Sequence, residues 1–263
     1  KLVSIKMQLY YKEIGFGEPI IILHGLFGSS DNWLTFSKKL SEKGYRVILV
    51  DLRNHGRSPH DSIHNYDEMA NDIKELIDRL ELKQPTIMGH SMGGKAAMKF
   101  SVKYPDSISK LVVVDIGPKY YKPHHHKYLA ALNAIPVSKL SSRTEAEAVI
   151  APLIEDFGER QFLLKNLARK EDGGFEWKMN LKVLEDQIDN IGEGMDANQK
   201  FRKPTLFVKG SKSNYIKDDD AIMMKWIFPL SNLVEVENSG HWVHVDQPDK
   251  LLEVVSEFLK NQH

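Results

Sequence analysis

Short, nearly continuous apolar runs recur along the chain at Ile20 to Leu23, Val47 to Val50, Thr86 to Met88, Leu111 to Val114, Thr205 to Val208 and Leu233 to Val236. Runs that do not alternate with polar residues suit strands covered on both faces, as in a parallel sheet. Between them the apolar period lengthens to three or four: Trp33, Phe36, Leu40; then Met69, Ile73, Leu76, Ile77, Leu80; then Ala96, Ala97, Phe100, Tyr104; finally Leu251, Leu252, Val255, Phe258, Leu259. That spacing predicts amphipathic helices. Asn65 with Glu68 reads as an N-cap with its capping-box partner, and Pro248 as a first-turn proline behind an Asp246 cap. Strand and helix alternate, so the expected class is α/β with a mostly parallel, doubly wound sheet.

The rhythm breaks between about Pro118 and Lys203. No strand is expected there, and Leu153, Phe157, Phe162, Leu163, Leu167, Leu181, Leu184 and Ile188 have loose helical spacing. The reading is a core formed by residues 1–118 and 204–263, with a helical insertion at 119–203 above the sheet, following the strand that ends at Asp115.

At 263 residues and 41% hydrophobic content, one such domain buries a substantial core. The 36 Lys plus Arg balance the 36 Asp plus Glu, so no basic field is available for nucleic acid or anionic lipid. There is no cysteine, which removes thiolate chemistry, leaves serine as the expected nucleophile and fits a cytoplasmic address. Lys1 to Gly17 lacks the apolar core of an export signal, and no apolar run approaches the roughly 20 residues that span a bilayer, so no membrane insertion is expected.

Gly89-His-Ser-Met-Gly93 stands between a strand and a helix. Such a turn strains the serine backbone and projects its hydroxyl over the sheet edge, which makes Ser91 the candidate nucleophile. A chain of this composition yields the five-residue pattern by chance about 0.08 times. A rival reading overlaps it: Gly89-x-x-x-x-Gly94-Lys95 is the front of a phosphate-binding loop, and Leu111-Val-Val-Val-Asp115 resembles a magnesium-binding strand end. Ala96 stands where that loop needs a Ser or Thr hydroxyl, so a nucleotide-binding protein is the alternative rather than the choice. A ligand receptor without catalysis is a second alternative.

A serine needs a general base, and Gly240-His241-Trp242 follows the last strand, where a serine, acid, histidine order would place it. Oxyanion donors are expected from the backbone N–H of Met92, after the nucleophile, and of Leu26, in His24-Gly-Leu-Phe-Gly28. His24 is read as a structural hydrogen-bonding residue. Phe27 and Trp242 are expected to touch substrate, and Leu26 and Met92 to add apolar surface. His124 to His126 is the one biased tract; adjacent side chains do not converge, so no metal is expected.

His24-Gly-Leu-Phe-Gly28, Asp51-Leu-Arg-Asn-His-Gly-Arg-Ser-Pro59, Gly89-His-Ser-Met-Gly-Gly-Lys95, Asp115-Ile-Gly-Pro118, Gln161-Phe-Leu-Leu-Lys165 and Gly240-His-Trp-Val-His244 together resemble the α/β-hydrolase superfamily and, more closely, the YbfF-like esterases. The resemblance runs from about Ile20 to the C-terminus. It implies an α/β-hydrolase core with a helical cap, no cofactor, and hydrolysis of a small-molecule carboxylic ester or acyl thioester. In many superfamily members the acid follows the strand corresponding to Thr205 to Val208, at a place occupied here by Ser213. Asp218, Asp219 and Asp220 lie beyond and read as a solvated helix start. Asp115 ends the strand after the nucleophile helix, where the YbfF-like group is expected to hold its acid, and is the chosen third partner. Asp51 is expected to pair with Arg53 or Arg57 and brace its loop.

Overall fold

Alternate residues of one strand enter opposite cores: Ile20 and Ile22 join one buried cluster, Ile21 and Leu23 the other. This two-sided burial is what the unbroken apolar runs demand, and each fully buried aliphatic side chain contributes about 2 kcal/mol. The computed structural model describes residues 7–171 and 173–261. The first six positions of the expected core, Asp172 of the expected insertion and the last two residues of the chain therefore lie outside the described residues.

The main sheet consists of β1 (Tyr11–Ile14), β2 (Glu18–Leu23), β3 (Tyr45–Val50), β4 (Thr86–His90), β5 (Leu111–Val114), β8 (Thr205–Gly210) and β9 (Ser231–Val236). Their spatial order is β1-β3-β2-β4-β5-β8-β9, and every pair is parallel except β1 with β3. Helix α1 (Leu34–Ser41) and α11 (Pro248–Lys260) cover one face, Phe36, Leu40, Leu251 and Val255 packing on Ile20, Val47 and Met88. Helices α2 (Tyr66–Arg79) and α3 (Met92–Lys103) cover the other, with Met69, Ile73, Met92 and Phe100, and α9 (Asp220–Ile227) adds Met224 and Ile227 to the same cluster. Asn65 caps α2 by accepting the Glu68 N–H at 2.8 Å. Pro248 opens α11, but Asp246 is not its cap: that carboxylate accepts the Gly240 N–H at 2.7 Å instead.

After β5 the chain leaves the sheet and returns only at β8. The excursion holds α4 (His126–Ala134), α5 (Arg143–Ile150), α6 (Phe157–Leu164), α7 (Leu181–Asp186) and α8 (Ile188–Ile191). It also holds an antiparallel pair, β6 (Leu167–Arg169) and β7 (Phe175–Trp177), where no strand was expected. Three residues per strand are too few to display a period. The neck of the excursion is closed by backbone: Tyr121 N–H donates to Gly192 O at 2.9 Å, and Met195 N–H to Pro118 O at 2.7 Å.

The chain runs from β2 outward to β3, then crosses back to β4 on the other side of β2. In open α/β sheets the crevice at such a reversal, above the carboxyl ends of the strands, is where ligands bind. Here those ends are Leu23 and His90, each followed by a candidate site segment.

Candidate active site

Ser91 leaves β4 and caps α3 with φ 52° and ψ −119°, a left-handed backbone that costs a non-glycine residue about 1–3 kcal/mol. Its neighbours make the turn possible. A Cβ on Gly89 would stand 2.1 Å from Gly93 O, and one on Gly93 would stand 2.5 Å from both Leu23 O and His24 O. The strand and the helix start are thus pressed together, and the serine hydroxyl is pushed outward.

His241 lies in the loop between β9 and α10 (Val243–Asp246). Its Nε2 is 3.0 Å from Ser91 Oγ and its Nδ1 is 2.8 Å from Asp115 Oδ2. Asp115 follows β5 with φ 52° and is fully buried. Its Oδ1 accepts the Gly210 N–H at 3.0 Å, and its Oδ2 also accepts the Ser213 hydroxyl. The main chain of His241 is held as well, because His90 Nε2 donates to the His241 carbonyl at 2.8 Å. Asp218 is wholly exposed and paired with Lys209, and Asp220 pairs with Lys119. None of the three consecutive aspartates is bonded to His241.

Leu26 belongs to the loop after β2, and a Cβ on the adjacent Gly25 would lie 3.3 Å from the Ser91 Cβ. Among the described residues the backbone N–H of Leu26 and that of Met92 have no hydrogen-bond acceptor in the chain. Neutral histidines hold this loop. His24 Nδ1 donates to Gly25 O at 2.8 Å while its Nε2 accepts the Leu52 N–H at 3.0 Å, and His55 Nε2 accepts the Phe27 N–H at 3.3 Å. Burial lowers the pKa of both rings. Asn166, from the excursion, donates to Phe27 O at 2.7 Å.

Asp51 braces its loop through backbone, accepting the N–H groups of Ser30 at 2.6 Å and Arg57 at 2.8 Å. The expected Arg53 partnership does not form. Arg53 turns instead to Asp72 on α2, with buried bonds of 2.6 and 2.8 Å, because the Asp51 oxygens already lie beneath the loop amides.

A cavity of about 360 Å³ opens above Ser91 and His241. Leu26, Phe27, Phe162, Leu163 and Trp242 give it apolar walls, and the Phe162 and Trp242 rings stand 5.5 Å apart. Tyr128 and Glu159 add a polar patch, joined by a 2.9 Å hydrogen bond. Met92 does not line this cavity; its side chain belongs to the buried core and edges a separate void of about 20 Å³. Among the described residues no three metal-ligating side chains converge, and His124 is bonded to Tyr215 instead.

Lys95, which the phosphate-loop reading needed, is buried on α3 and donates to Lys119 O at 2.5 Å and Glu193 O at 2.6 Å. Burial lowers its pKa to about 7. A side-chain nitrogen whose hydrogens are held by two carbonyls is not free to receive a phosphate, and the aspartate of that reading faces His241.

Ser213, Tyr215, Tyr128, Glu159 and Trp33 are among the neighbours of the site to which the chain alone gives no role there. Ser213 carried a signal, since it occupies the place counted for an acid. The Gln161-Phe-Leu-Leu-Lys165 segment marks Phe162 and Leu163 without showing what they touch. Tyr215, Tyr128 and Glu159 belong to no spacing that chemistry singles out, and Trp33 is marked only as an apolar residue of a helical period.

A family model described as alpha/beta hydrolase fold matches residues 18–162. The chain is 37% identical to the esterase YbfF of Escherichia coli over 247 residues, covering 92% of this chain and 93% of that protein. It is 36% identical to the sn-1-specific diacylglycerol lipase of Mus musculus over 247 residues, 91% of this chain and 80% of the lipase. Among solved structures a marine microorganism esterase superposes with a TM-score of 0.93 at 42% identity, covering 96% of this chain and 99% of that one.

Proposed function

Since the chain belongs to the α/β-hydrolase family, among its YbfF-like esterases, and hydrolyses carboxylic esters, we propose that Ser91, His241 and Asp115 carry that reaction through an acyl-enzyme. The observation that carries the assignment is the line of contacts, 3.0 Å then 2.8 Å, from the Ser91 hydroxyl through His241 to a buried carboxylate. Ser91 Oγ attacks the acyl carbonyl as His241 Nε2 takes its proton. Asp115 keeps the proton of the neutral ring on Nδ1 and stabilises the imidazolium as it forms. The N–H groups of Leu26 and Met92 receive the negative oxygen; their lack of other acceptors supports that role. His241 then returns its proton to the leaving alcohol, and a water activated by the same ring releases the acid.

The excursion acts as the cap of the site, and Phe27, Phe162, Leu163 and Trp242 hold an uncharged, apolar arm of the substrate. No helix among the described residues is long and apolar enough to cross a membrane. The cytoplasmic address expected from the cysteine-free sequence belongs to the same proposal.

The test is hydrolysis of esters and matching thioesters of graded acyl length by wild type, Ser91→Ala and Asp115→Asn. Ser91→Ala is expected to lose at least about 10³-fold in kcat, with Asp115→Asn losing about 10³- to 10⁴-fold. Full activity in Ser91→Ala sinks the scheme, and near-normal activity in Asp115→Asn removes Asp115 from it.

A further inference from the structure

Tyr215 stands in the loop after β8, outside the motifs that mark the site, yet its ring lies flat on the imidazole of His241. The centroids are 4.0 Å apart and the planes 17° from parallel. Tyr215 is held at both ends. Its N–H donates to Ser213 Oγ at 3.3 Å, and its carbonyl accepts the Tyr121 hydroxyl at 2.7 Å. Its own hydroxyl meets His124 Nε2, in the excursion, at 2.8 Å. Ser213 is the residue that also donates to Asp115, so one hydroxyl ties the stacking ring to the carboxylate. Burial, and then the nearby Asp115, raise the Tyr215 pKa to about 12, so the ring meets His241 as a neutral phenol.

Two carboxylates, Glu159 and Asp246, line the same cavity as the imidazole, and Asp246 is held on the Gly240 N–H beside it. Asp115 is the carboxylate on Nδ1 and Ser91 the hydroxyl on Nε2. The His90 ring lies 4.7 Å away, and His244 and His125 are electrostatic neighbours. Burial, the largest cause in each case, lowers the pKa of all three, so they are neutral at pH 7. A phenol face stacks favourably on a neutral imidazole and attracts the imidazolium more strongly, because the charge adds a cation–π contribution.

We propose that Tyr215 is a positioning residue of the hydrolytic reaction, whose ring fixes the plane of His241 and favours the imidazolium that forms as Ser91 loses its proton. The inference rests on the serine-hydrolase reading above. The sign of its effect is distinctive. Removing the ring makes the cation less favourable everywhere, so catalysis slows while the free enzyme keeps its base unprotonated to lower pH.

The experiment compares pH profiles of kcat and kcat/KM on one short-acyl ester for wild type, Tyr215→Leu and Tyr215→Phe, after fluorophosphonate labelling of each. Tyr215→Leu is expected to lose about tenfold in kcat, with the acid limb of kcat/KM moving down by about half a pH unit or more. Tyr215→Phe, which keeps the face and loses only the His124 bond, is expected to stay within about twofold with its limb in place. A Tyr215→Leu profile that only shrinks, as misfolding produces, overturns the inference, as does one that does not change. A Tyr215→Phe profile equal to that of Tyr215→Leu overturns it too, since the hydroxyl would then carry the effect. A wild type that neither hydrolyses the ester nor labels at Ser91 removes the underlying hydrolase reading. A wild type that does both beside an unmoved Tyr215→Leu limb removes this inference alone.

Discussion

Asp115 receives three donors on two oxygens, from Gly210, Ser213 and His241, in a fully buried position. Each charge-assisted bond lowers the cost of keeping a carboxylate out of water. Loss of one donor leaves the charge in place but less well oriented. Ser213→Ala is therefore expected to lower kcat about three- to tenfold with little change in KM, as steady-state kinetics on a single ester would read. Equal activity in the two proteins contradicts this role. At this scale the chain alone singles out Ser91, His241 and Asp115, which the fold brings into contact, because the proposed chemistry needs those residue types at strand ends; Leu26 and Met92 follow from position alone, since their proposed role is that of a backbone N–H. Ser213 was legible as a position but not as a donor to Asp115, and Tyr215 not at all, since a single residue in a loop carries no period and what each contributes depends on a neighbour far away in sequence. The same distance hides the partner of Arg53: Asp72 lies a helix away, while the nearer Asp51 is already satisfied by amides.

The strands and helices that surround the site were legible from their spacing, down to the Asn65 cap of α2. Elements whose patterns are short or half-polar were not. β1 is an edge strand of four partly exposed residues, and the pair β6 and β7 has three residues in each strand. The Pro248 helix start was placed correctly, but Asp246 had been recruited to hold the Gly240 amide beside His241. Contacts between elements show the same limit in Lys95, whose neighbours in sequence point to phosphate binding. In the fold it joins α3 to both sides of the excursion's neck. Lys95→Met keeps the length of the side chain and removes the donors, leaving Lys119 O and Glu193 O without their hydrogen-bond partner. A loss of about 2 kcal/mol is expected, measured as a lower urea midpoint with an unchanged slope. A variant as stable as the wild type excludes this bracing role.

Burial across the molecule holds six histidines neutral at pH 7. Burial lowers the pKa of His24, His55, His64, His90, His125 and His244, to about 3 for His64 and His244 and about 4 for His125. Below about pH 6.5 the unfolded chain binds protons at these positions and the native chain does not. Stability is then full above that pH and falls as the medium becomes more acid, by up to about 1.4 kcal/mol per pH unit for each ring. Thermal melts between pH 8 and 5 are expected to show the decline beginning near 6.5, before most carboxylates titrate. A melting temperature that holds level across that range counts against it. The layered core and its parallel order were legible from the chain. How the excursion folds over the site was not, because its helices pack through scattered apolar residues without a repeating spacing. Its two ends nevertheless meet at one neck, bound by Tyr121 to Gly192, Met195 to Pro118 and the paired carbonyls on Lys95. A segment closed at its base is a replaceable module. Doubling its length adds only about 0.6 kcal/mol of closure cost, and the sheet beneath need not notice. Descendants of such a chain can exchange the upper wall of the cavity, and with it their diet of esters, while inheriting the chemistry unchanged.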